Sequence, residues 1–205
     1  MKTKINKLKK SMKLKKEEKR KAIISAAIKI FSEKGFHAAK ISEIAKLAKV
    51  SDGTTYIYFK NKDDLLLKTF DELLTNNLEK MKISVMKVEK PIERLRKFLD
   101  LHVELFEEFP HFARFLAIEL KQSPQFYTLY PDKNPFDKYL DFLKKLCDDT
   151  INSGEIRKIN TKALTYLIFG TINFLLTEWV VMGKNFSLEE MKIDILDIVH
   201  NGLKI

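Results

Sequence analysis

The sequence lacks the features of a membrane-spanning, disulfide-linked or metal-binding protein. It has no uninterrupted run of about 18 apolar residues, the length that crosses a bilayer. Its lysine-rich start lacks the apolar stretch and cleavage site of a secretory signal. The single cysteine, Cys147, cannot form an internal disulfide, and the four histidines follow no metal-ligand spacing. We therefore expect a cytoplasmic protein with no metal or other cofactor and no membrane partner.

Catalytic motifs are also missing. The sequence has no recognisable nucleophile and base pair, no carboxylate and histidine metal set, and no glycine-rich phosphate loop. Apolar residues nevertheless make up 45% of the 205 residues, which is sufficient for one large domain or two small ones. A binding protein is therefore favoured over the rival class, an all-α enzyme.

Positive charge is confined to the first third of the chain. Residues 1–62 contain 18 Lys or Arg and 5 Asp or Glu, a net charge of +13, whereas residues 63–205 contain 20 and 23, a net charge of −3. A basic segment on a mildly acidic body is typical of a protein that binds a polyanion with one module. Nucleic acid is the favoured partner, and an anionic membrane surface comes second.

Residues 1–16 form a basic N-terminal extension. The first 21 residues hold eleven basic and two acidic side chains. Two interpretations stay open, a solvated disordered tail and an arm that contacts DNA. The spacing of Ile5, Leu8 and Met12 would also suit an extension of the first helix.

Helical periodicity dominates the sequence, and the alternation typical of β-strands is almost absent. An apolar stripe from Glu17 ends at Gly35, where a helix C-terminus favours a residue that adopts positive φ. A short helix around Ile44 follows, and Ser51 or Asp52 can cap the next. Later helices are predicted over 62–85, from Pro91 to Pro110, around 112–120, and over 136–151, 161–182 and 187–203. The sequence therefore predicts an all-α protein of about nine helices.

The first 60 residues fit a helix-turn-helix, because they contain three short helices, the last two joined by a tight turn. Such a unit presents one helix to the major groove, which is ~12 Å wide. The presented face needs small or hydrogen-bonding side chains, and Gly53, Thr54, Thr55, Tyr56 and Tyr58 meet that need. We assign residues 17–62 to a DNA-binding domain, and residues 63–205 to a ligand-binding and dimerisation domain.

The same residues resemble the DNA-binding domain of TetR-type repressors. The most specific part is Val50-Ser51-x-Gly53-Thr54-x-Tyr56-x-Tyr58-Phe59-x-x-Lys62. The resemblance implies a recognition helix from about Asp52, with Thr54, Thr55 and Tyr56 at bases or phosphates and Tyr58 and Lys62 at the DNA backbone. It implies that Ile44, Ala45, Val50 and Phe59 are packing residues. The complete set of implied DNA-binding residues is Lys40, Ser42, Ser51, Asp52, Gly53, Thr54, Thr55, Tyr56, Tyr58, Lys60 and Lys62.

The chain departs from the family pattern at two places. Ala39-Lys40 replaces the Thr or Ser that commonly opens the second helix, so the cap should be weaker, although Lys40 can offer a phosphate a cation. Lys49 stands where the turn usually has glycine, and a non-glycine residue at positive φ costs on the order of 1 kcal/mol. Either the turn differs here or the chain tolerates the strain.

The body segments predict a homodimer and a ligand pocket. TetR-type proteins pair through their last two helices, and the helices over 161–182 and 187–203 have the apolar excess that such an interface requires. Helix 161–182 is apolar nearly all round and is expected to be buried on more than one side. The candidate ligand-binding residues are Phe106, Phe109, Phe112, Leu116, Glu119, Tyr127, Tyr139, Phe142, Phe169, Asn173, Phe174 and Thr177. For any single ring, a plain core role is the more frequent outcome.

Several short segments are similar to the fatty-acid-degradation repressors of this family, among them Ile118-Glu119-Leu120-Lys121-Gln122-Ser123 and Ile168-Phe169-Gly170-Thr171. That resemblance implies a repressor that releases a palindromic operator when long-chain acyl-CoA binds, with Arg114 or Lys121 near the CoA phosphates. The alternative is a multidrug sensor in which Glu119 or Glu178 neutralises a cationic aromatic compound. Glu119 also has a structural interpretation, a salt bridge to Arg94, Arg96 or Arg114.

Overall fold

The computed structural model describes the backbone of residues 2–108, 114, 136–183 and 185–202, with side chains from residue 11 onward. Over these ranges the chain forms eight helices and no strand, which confirms the predicted all-α class. The helices are α1 Lys2–Lys34, α2 Ile41–Leu47, α3 Asp52–Tyr58, α4 Lys62–Val85, α5 Pro91–Glu108, α6 Asp137–Asn152, α7 Thr161–Val181 and α8 Leu188–Asn201. Of the predicted helix around 112–120, the structure describes only residue 114, which is helical.

The chain forms two compact units, which we name the head, Met1–Phe70, and the body, Asp71–Ile205. The division falls inside α4, so the first turns of this long helix belong to the head and the rest belongs to the body. Leu65, Leu66 and Phe70 in those first turns are fully buried. One continuous helix therefore connects the two units.

Helix α1 is much longer than the stripe from Glu17 suggested. It begins at Lys2, so the basic extension is helical and continues the first helix instead of forming a disordered tail. Of the three interpretations of the extension, the structure thus shows helix extension. A contact of the extension with DNA stays a prediction.

The core of the head is built from α1, α2 and the end of α3. Ile23, Ala27 and Phe31 of α1 are fully buried, as are Ile44 of α2 and Phe59 after α3. The expected packing role of Ile44 and Phe59 is therefore confirmed, and Ala45 is buried as well. Gly35 ends α1 at a φ of 79°, the conformation predicted for it.

The start of α2 confirms the weaker cap expected at Lys40, whose side chain accepts no capping hydrogen bond. Glu43 compensates from inside the helix, because its Oε2 accepts a 3.3 Å bond from the Lys40 amide. Its Oε1 lies 2.7 Å from Lys34 Nζ. The hydrogen bond from Lys34, and then that from the Lys40 amide, lower the pKa of the Glu43 carboxyl.

The turn between α2 and α3 keeps its usual shape despite the missing glycine. Lys49 has a φ of 57°, in the left-handed region. The Val50 amide donates a 2.9 Å bond to the Ala45 carbonyl and so closes the turn. Of the two alternatives, the structure shows tolerated strain rather than a different turn.

The body surrounds a cluster of aromatic rings. The centroid of Phe98 in α5 lies 5.0 Å from that of Tyr139 and 5.6 Å from that of Phe142, both in α6. Helix α8 is tied to α5 by Lys192, only 5% exposed, whose Nζ lies 2.6 Å from Asp100 Oδ1. Burial raises the pKa of the Cys147 thiol to about 11, so this cysteine is a packing residue.

Helix α7 has one buried and one exposed apolar face. Leu164, Ile168, Ile172, Leu176 and Trp179 are buried, whereas Leu167, Phe174 and Val181 are more than half exposed. The prediction that this helix is buried on more than one side therefore does not hold within a single chain. Among the described residues, α7 is the one helix long and apolar enough to cross a membrane, a weak indication that core helices of soluble proteins also give.

Candidate nucleic-acid interface and effector cavity

Helix α3 is started by Ser51, the residue that the sequence offered as one of two caps. Ser51 Oγ accepts a 3.2 Å hydrogen bond from the Thr54 amide and lies 2.8 Å from Thr54 Oγ1. This bond satisfies one of the amides that every helix leaves unpaired in its first turn. Ser51 and Thr54 therefore have a structural task, and it fixes the orientation of the short helix.

One side of α3 is open to solvent. Ser51, Asp52 and Gly53 are exposed, Tyr56 is 53% exposed, and Thr54 and Tyr58 are half-buried. Ile57, which sequence reasoning missed, is 73% exposed. The sequence could have indicated Ile57 as a DNA-contacting residue, because it is an apolar residue within a polar helix face. Such a side chain can contact a thymine methyl group.

Thr55 corrects the predicted set, because it is fully buried and cannot reach a base or a phosphate. It lies four residues before Phe59, which places both on the same side of the helix, and Phe59 is also buried. The Thr55 hydroxyl has no hydrogen-bond partner among the described residues. Thr55 thus belongs to the core of the head.

Gly53 is a glycine that the fold of the chain does not require. It is exposed, its φ is not positive, and an added Cβ would meet only Ser51 Oγ, at 4.0 Å. Glycine inside a helix is less stable than alanine by roughly 0.5 to 1 kcal/mol. A glycine at such a position suits the close approach of a partner from outside the chain.

Lys62 has a structural task within the head, and its phosphate contact stays a prediction. Its Nζ donates hydrogen bonds of 3.1 Å to the carbonyls of His37 and Ala39 and lies 4.6 Å from the centroid of the Phe36 ring. Two of the three ammonium donors are therefore committed to the loop between α1 and α2. The contacts make Lys62 a clamp within the head, which leaves one donor for DNA.

The remaining predicted DNA-binding residues are exposed around α3. Lys40 and Ser42 lie at the start of α2, and Lys60 follows α3. Lys46 and Lys49, which the prediction omitted, are exposed on α2 and in the turn. The head thus presents cations beside the exposed side of α3, as a phosphate-binding surface requires.

The body contains a small cavity, partly open to solvent, whose volume of about 20 Å³ has room for roughly one water molecule. Five of the predicted ligand-binding residues line it: Phe106, Tyr139, Phe169, Asn173 and Thr177. Four further lining residues were not predicted: Leu74, His102, Phe136 and Leu176. Leu74 and His102 lie in the helices predicted over 62–85 and from Pro91 to Pro110. Their place in these helices could have indicated from the sequence that they line the cavity.

Two predicted ligand-binding residues lie elsewhere. Phe142 is buried in the ring cluster beside Phe98 and does not line the cavity. Phe174 is 64% exposed, because it follows the cavity-lining Asn173 and a step of one residue turns a helical side chain to another face. The other predicted residues, Phe109, Phe112, Leu116, Glu119 and Tyr127, lie outside the described residues.

The cavity wall is uncharged over the described residues. His102 Nδ1 lies 2.8 Å from the Tyr139 hydroxyl, and both side chains are buried. Burial lowers the pKa of His102 to about 4 and raises that of Tyr139 well above 10, so both are neutral at pH 7. The wall therefore combines aromatic rings with the neutral polar groups of His102, Tyr139, Asn173 and Thr177.

Comparison with known proteins identifies relatives along nearly the whole chain. The family described as "Bacterial regulatory proteins, tetR family" matches residues 23–69, and "YsiA-like protein, C-terminal region" matches residues 70–202. The chain is 32% identical to the fatty acid metabolism regulator protein of Bacillus subtilis, over 88% of this chain and 93% of the relative.

Two solved structures have the same fold. The fatty acid degradation regulator FadR from Bacillus halodurans is 28% identical, with a TM-score of 0.82 over 90% of this chain and 99% of that one. The transcriptional regulator FadR from Bacillus subtilis, in complex with stearoyl-CoA, is 31% identical, with a TM-score of 0.81 over 88% of this chain and 97% of that one. The exposed side of α3 agrees with these matches, and the chain is a transcriptional regulator that belongs to the TetR family.

Proposed function

We propose that this regulator is a homodimeric repressor that releases a palindromic operator when a long-chain acyl-CoA occupies the cavity of the body. The observation that carries the proposal is the uncharged, ring-lined cavity, in a chain similar over most of its length to a regulator whose structure holds stearoyl-CoA. Such a wall suits an acyl chain, since ligand pockets are lined mainly by apolar groups with a few polar ones. Because the cavity has a volume of only about 20 Å³, the bound acyl chain must push apart the helices that line it.

The DNA interface is the exposed side of α3 with the cations around it. Tyr56 and Ile57 project from α3, Gly53 allows close approach, and Lys40 and Lys60 can contact phosphates. Major-groove binding needs a helix whose side chains reach base edges and flanking cations that position it. Thr55 takes no part in this interface.

Dimerisation uses the exposed apolar faces of α7 and α8. Leu167, Phe174 and Val181 on α7 and Ile193 and Ile198 on α8 are between 47% and 66% exposed. A second copy related by a two-fold axis would cover them. The same symmetry would set two recognition helices roughly 34 to 36 Å apart, the spacing of half-sites in a palindromic operator.

A multidrug sensor is the less favoured alternative. A cationic aromatic ligand needs a carboxylate in the pocket, and the described part of the cavity wall contains none. Glu178 is half-buried and does not line the cavity, and Glu119 lies outside the described residues. Arg94 and Arg96, two of the predicted partners of Glu119, lie near Asp149 and Glu93.

The test is a titration of the complex between the full chain and operator DNA, where the operator is obtained by selection from random duplexes. Palmitoyl-CoA should release the DNA, whereas CoA alone and acetyl-CoA should not, because neither carries an acyl chain that can fill the apolar cavity. The cationic dye rhodamine 6G, titrated against the protein alone, tests the alternative. An unchanged DNA affinity at saturating palmitoyl-CoA would overturn the proposed effector.

A further inference from the structure

The basic start of α1 is a structural addition to the DNA-binding domain. The family match begins at residue 23, whereas α1 begins at Lys2. Residues 2–19, which we name the arm, contain nine lysines and two glutamates. The first helix of the head therefore carries a strongly cationic extension that the shared family domain does not include.

The place where the arm leaves the head is defined by Arg20. Its Cζ lies 5.9 Å from the centroid of the Phe59 ring, and Phe59 is the residue that ends α3. The arm thus departs from the head beside the end of the recognition helix. At 1.5 Å per residue, its 18 residues extend roughly 27 Å beyond that point, about the length of eight base pairs at 3.4 Å each.

The charge distribution along the arm indicates its partner. Residues 11–19 are exposed, including all four lysines of that segment. The nine lysine positions of the arm fall on all sides of the helix, because successive residues are about 100° apart. A membrane-surface helix instead separates a charged face from an apolar face rich in Trp, Phe or Leu. The arm contains no Trp or Phe, and its two leucines, Leu8 and Leu14, are about 120° apart around the helix.

We propose that the arm is a second DNA-binding element, which contacts phosphates outside the base pairs that α3 reads. This inference rests on the proposed function of the head. Duplex DNA carries one negative charge per roughly 1.7 Å of axis, so a cationic helix of this length meets many phosphates without requiring a sequence. The arm lengthens the footprint on each side of the operator and raises affinity, while base specificity stays with α3.

The test compares the full chain with a variant in which Lys13, Lys15, Lys16 and Lys19 are all replaced by Gln, which keeps a similar helix propensity. The matched control replaces four exposed lysines of the body, Lys87, Lys90, Lys145 and Lys158, by Gln, so the net charge falls equally. Affinity is measured on two duplexes that carry the selected operator, one ending at its borders and one with ten further base pairs on each side.

The parent and the body control should bind the long duplex at least fivefold more tightly than the short one, and the arm variant less than twofold more tightly. The slope of log K against log salt, which is negative, should become shallower by about 2 to 4 in the arm variant, since each lost phosphate contact changes it by about 0.9. An equal response of all three proteins to the flanks would overturn the proposal, as would binding of the arm to phosphatidylserine vesicles without any effect of the flanks. If random-DNA selection enriches no operator, the proposed function fails instead, a separate result.

Discussion

Gly53→Ala should make the protein more stable and a weaker DNA binder. In the absence of DNA the new methyl group meets nothing closer than Ser51 Oγ at 4.0 Å, so the head accepts it without strain. Replacing a glycine by alanine in a helix raises the free energy of unfolding by about 0.5 to 1 kcal/mol. For a chain of this size, that gain raises Tm by about 1 to 4 °C. If the methyl group displaces one base or phosphate contact, the loss of affinity is about 1 to 3 kcal/mol, roughly 5- to 150-fold in Kd.

The assay pairs thermal unfolding, followed by circular dichroism, with fluorescence anisotropy on the selected operator at fixed salt. Ser51→Ala is the matched comparison, because it removes the cap of the same helix and should lower both Tm and affinity. The opposite sign of the two effects in Gly53→Ala separates a DNA contact from a folding defect. A Gly53→Ala protein that binds the operator like the parent would show that α3 does not approach DNA at this residue.

The other predictions concern strain, the clamp in the head and pH. Lys49→Gly should raise the unfolding free energy in urea by about 0.5 to 1 kcal/mol, since it relieves a φ of 57° at the cost of a more flexible unfolded chain, and an unchanged value would refute the strain. Lys62→Ala should lower the free energy of unfolding by about 1 kcal/mol even without DNA, because the carbonyls of His37 and Ala39 lose their donor. A lysine that only contacts phosphate would leave the free energy of unfolding unchanged. Burial lowers the pKa of His102 to about 4, so the unfolded chain takes up the proton first as the pH falls below 6.5. Between pH 7 and pH 5, His102 should therefore lower the free energy of unfolding by about 2 kcal/mol. The variant His102→Gln should remove this loss, whereas the control His37→Gln, at an exposed site, should keep it.

The sequence could predict most of the head because its local signals agree with one another. The glycine at 35 and the cap at Ser51 mark helix ends that the structure has at the same residues. The family pattern, however, does not distinguish residues that face DNA from residues that face the core. Lys62 belongs to that pattern and Thr55 lies at one of its variable positions. Thr55 is buried, however, and Lys62 binds carbonyls of its own head.

The cavity was predicted less completely, because aromatic side chains in a helical protein pack against one another as readily as they surround a ligand. Phe142 and Phe106 are both rings on amphipathic helices, but only Phe106 lines the cavity. Periodicity identifies an apolar face without saying which neighbour covers it. The exposed face of α7 shows the same limit, since no pattern in one chain distinguishes its own core from an interface with a second copy.

Helix α4 belongs to both units, and under the proposed function it is the element that would connect the effector with DNA. Leu74 lines the cavity, and the same unbroken helix begins at Lys62, whose ammonium holds the loop before α2. These two residues are roughly 18 Å apart along the helix axis, at 1.5 Å per residue. Under the proposed function, we expect a ligand that favours a different position of α4 at Leu74 to shift the helix start at Lys62 as well. In a symmetric dimer the two heads would move together, and a change in their separation would be sufficient to break the register with a palindromic operator.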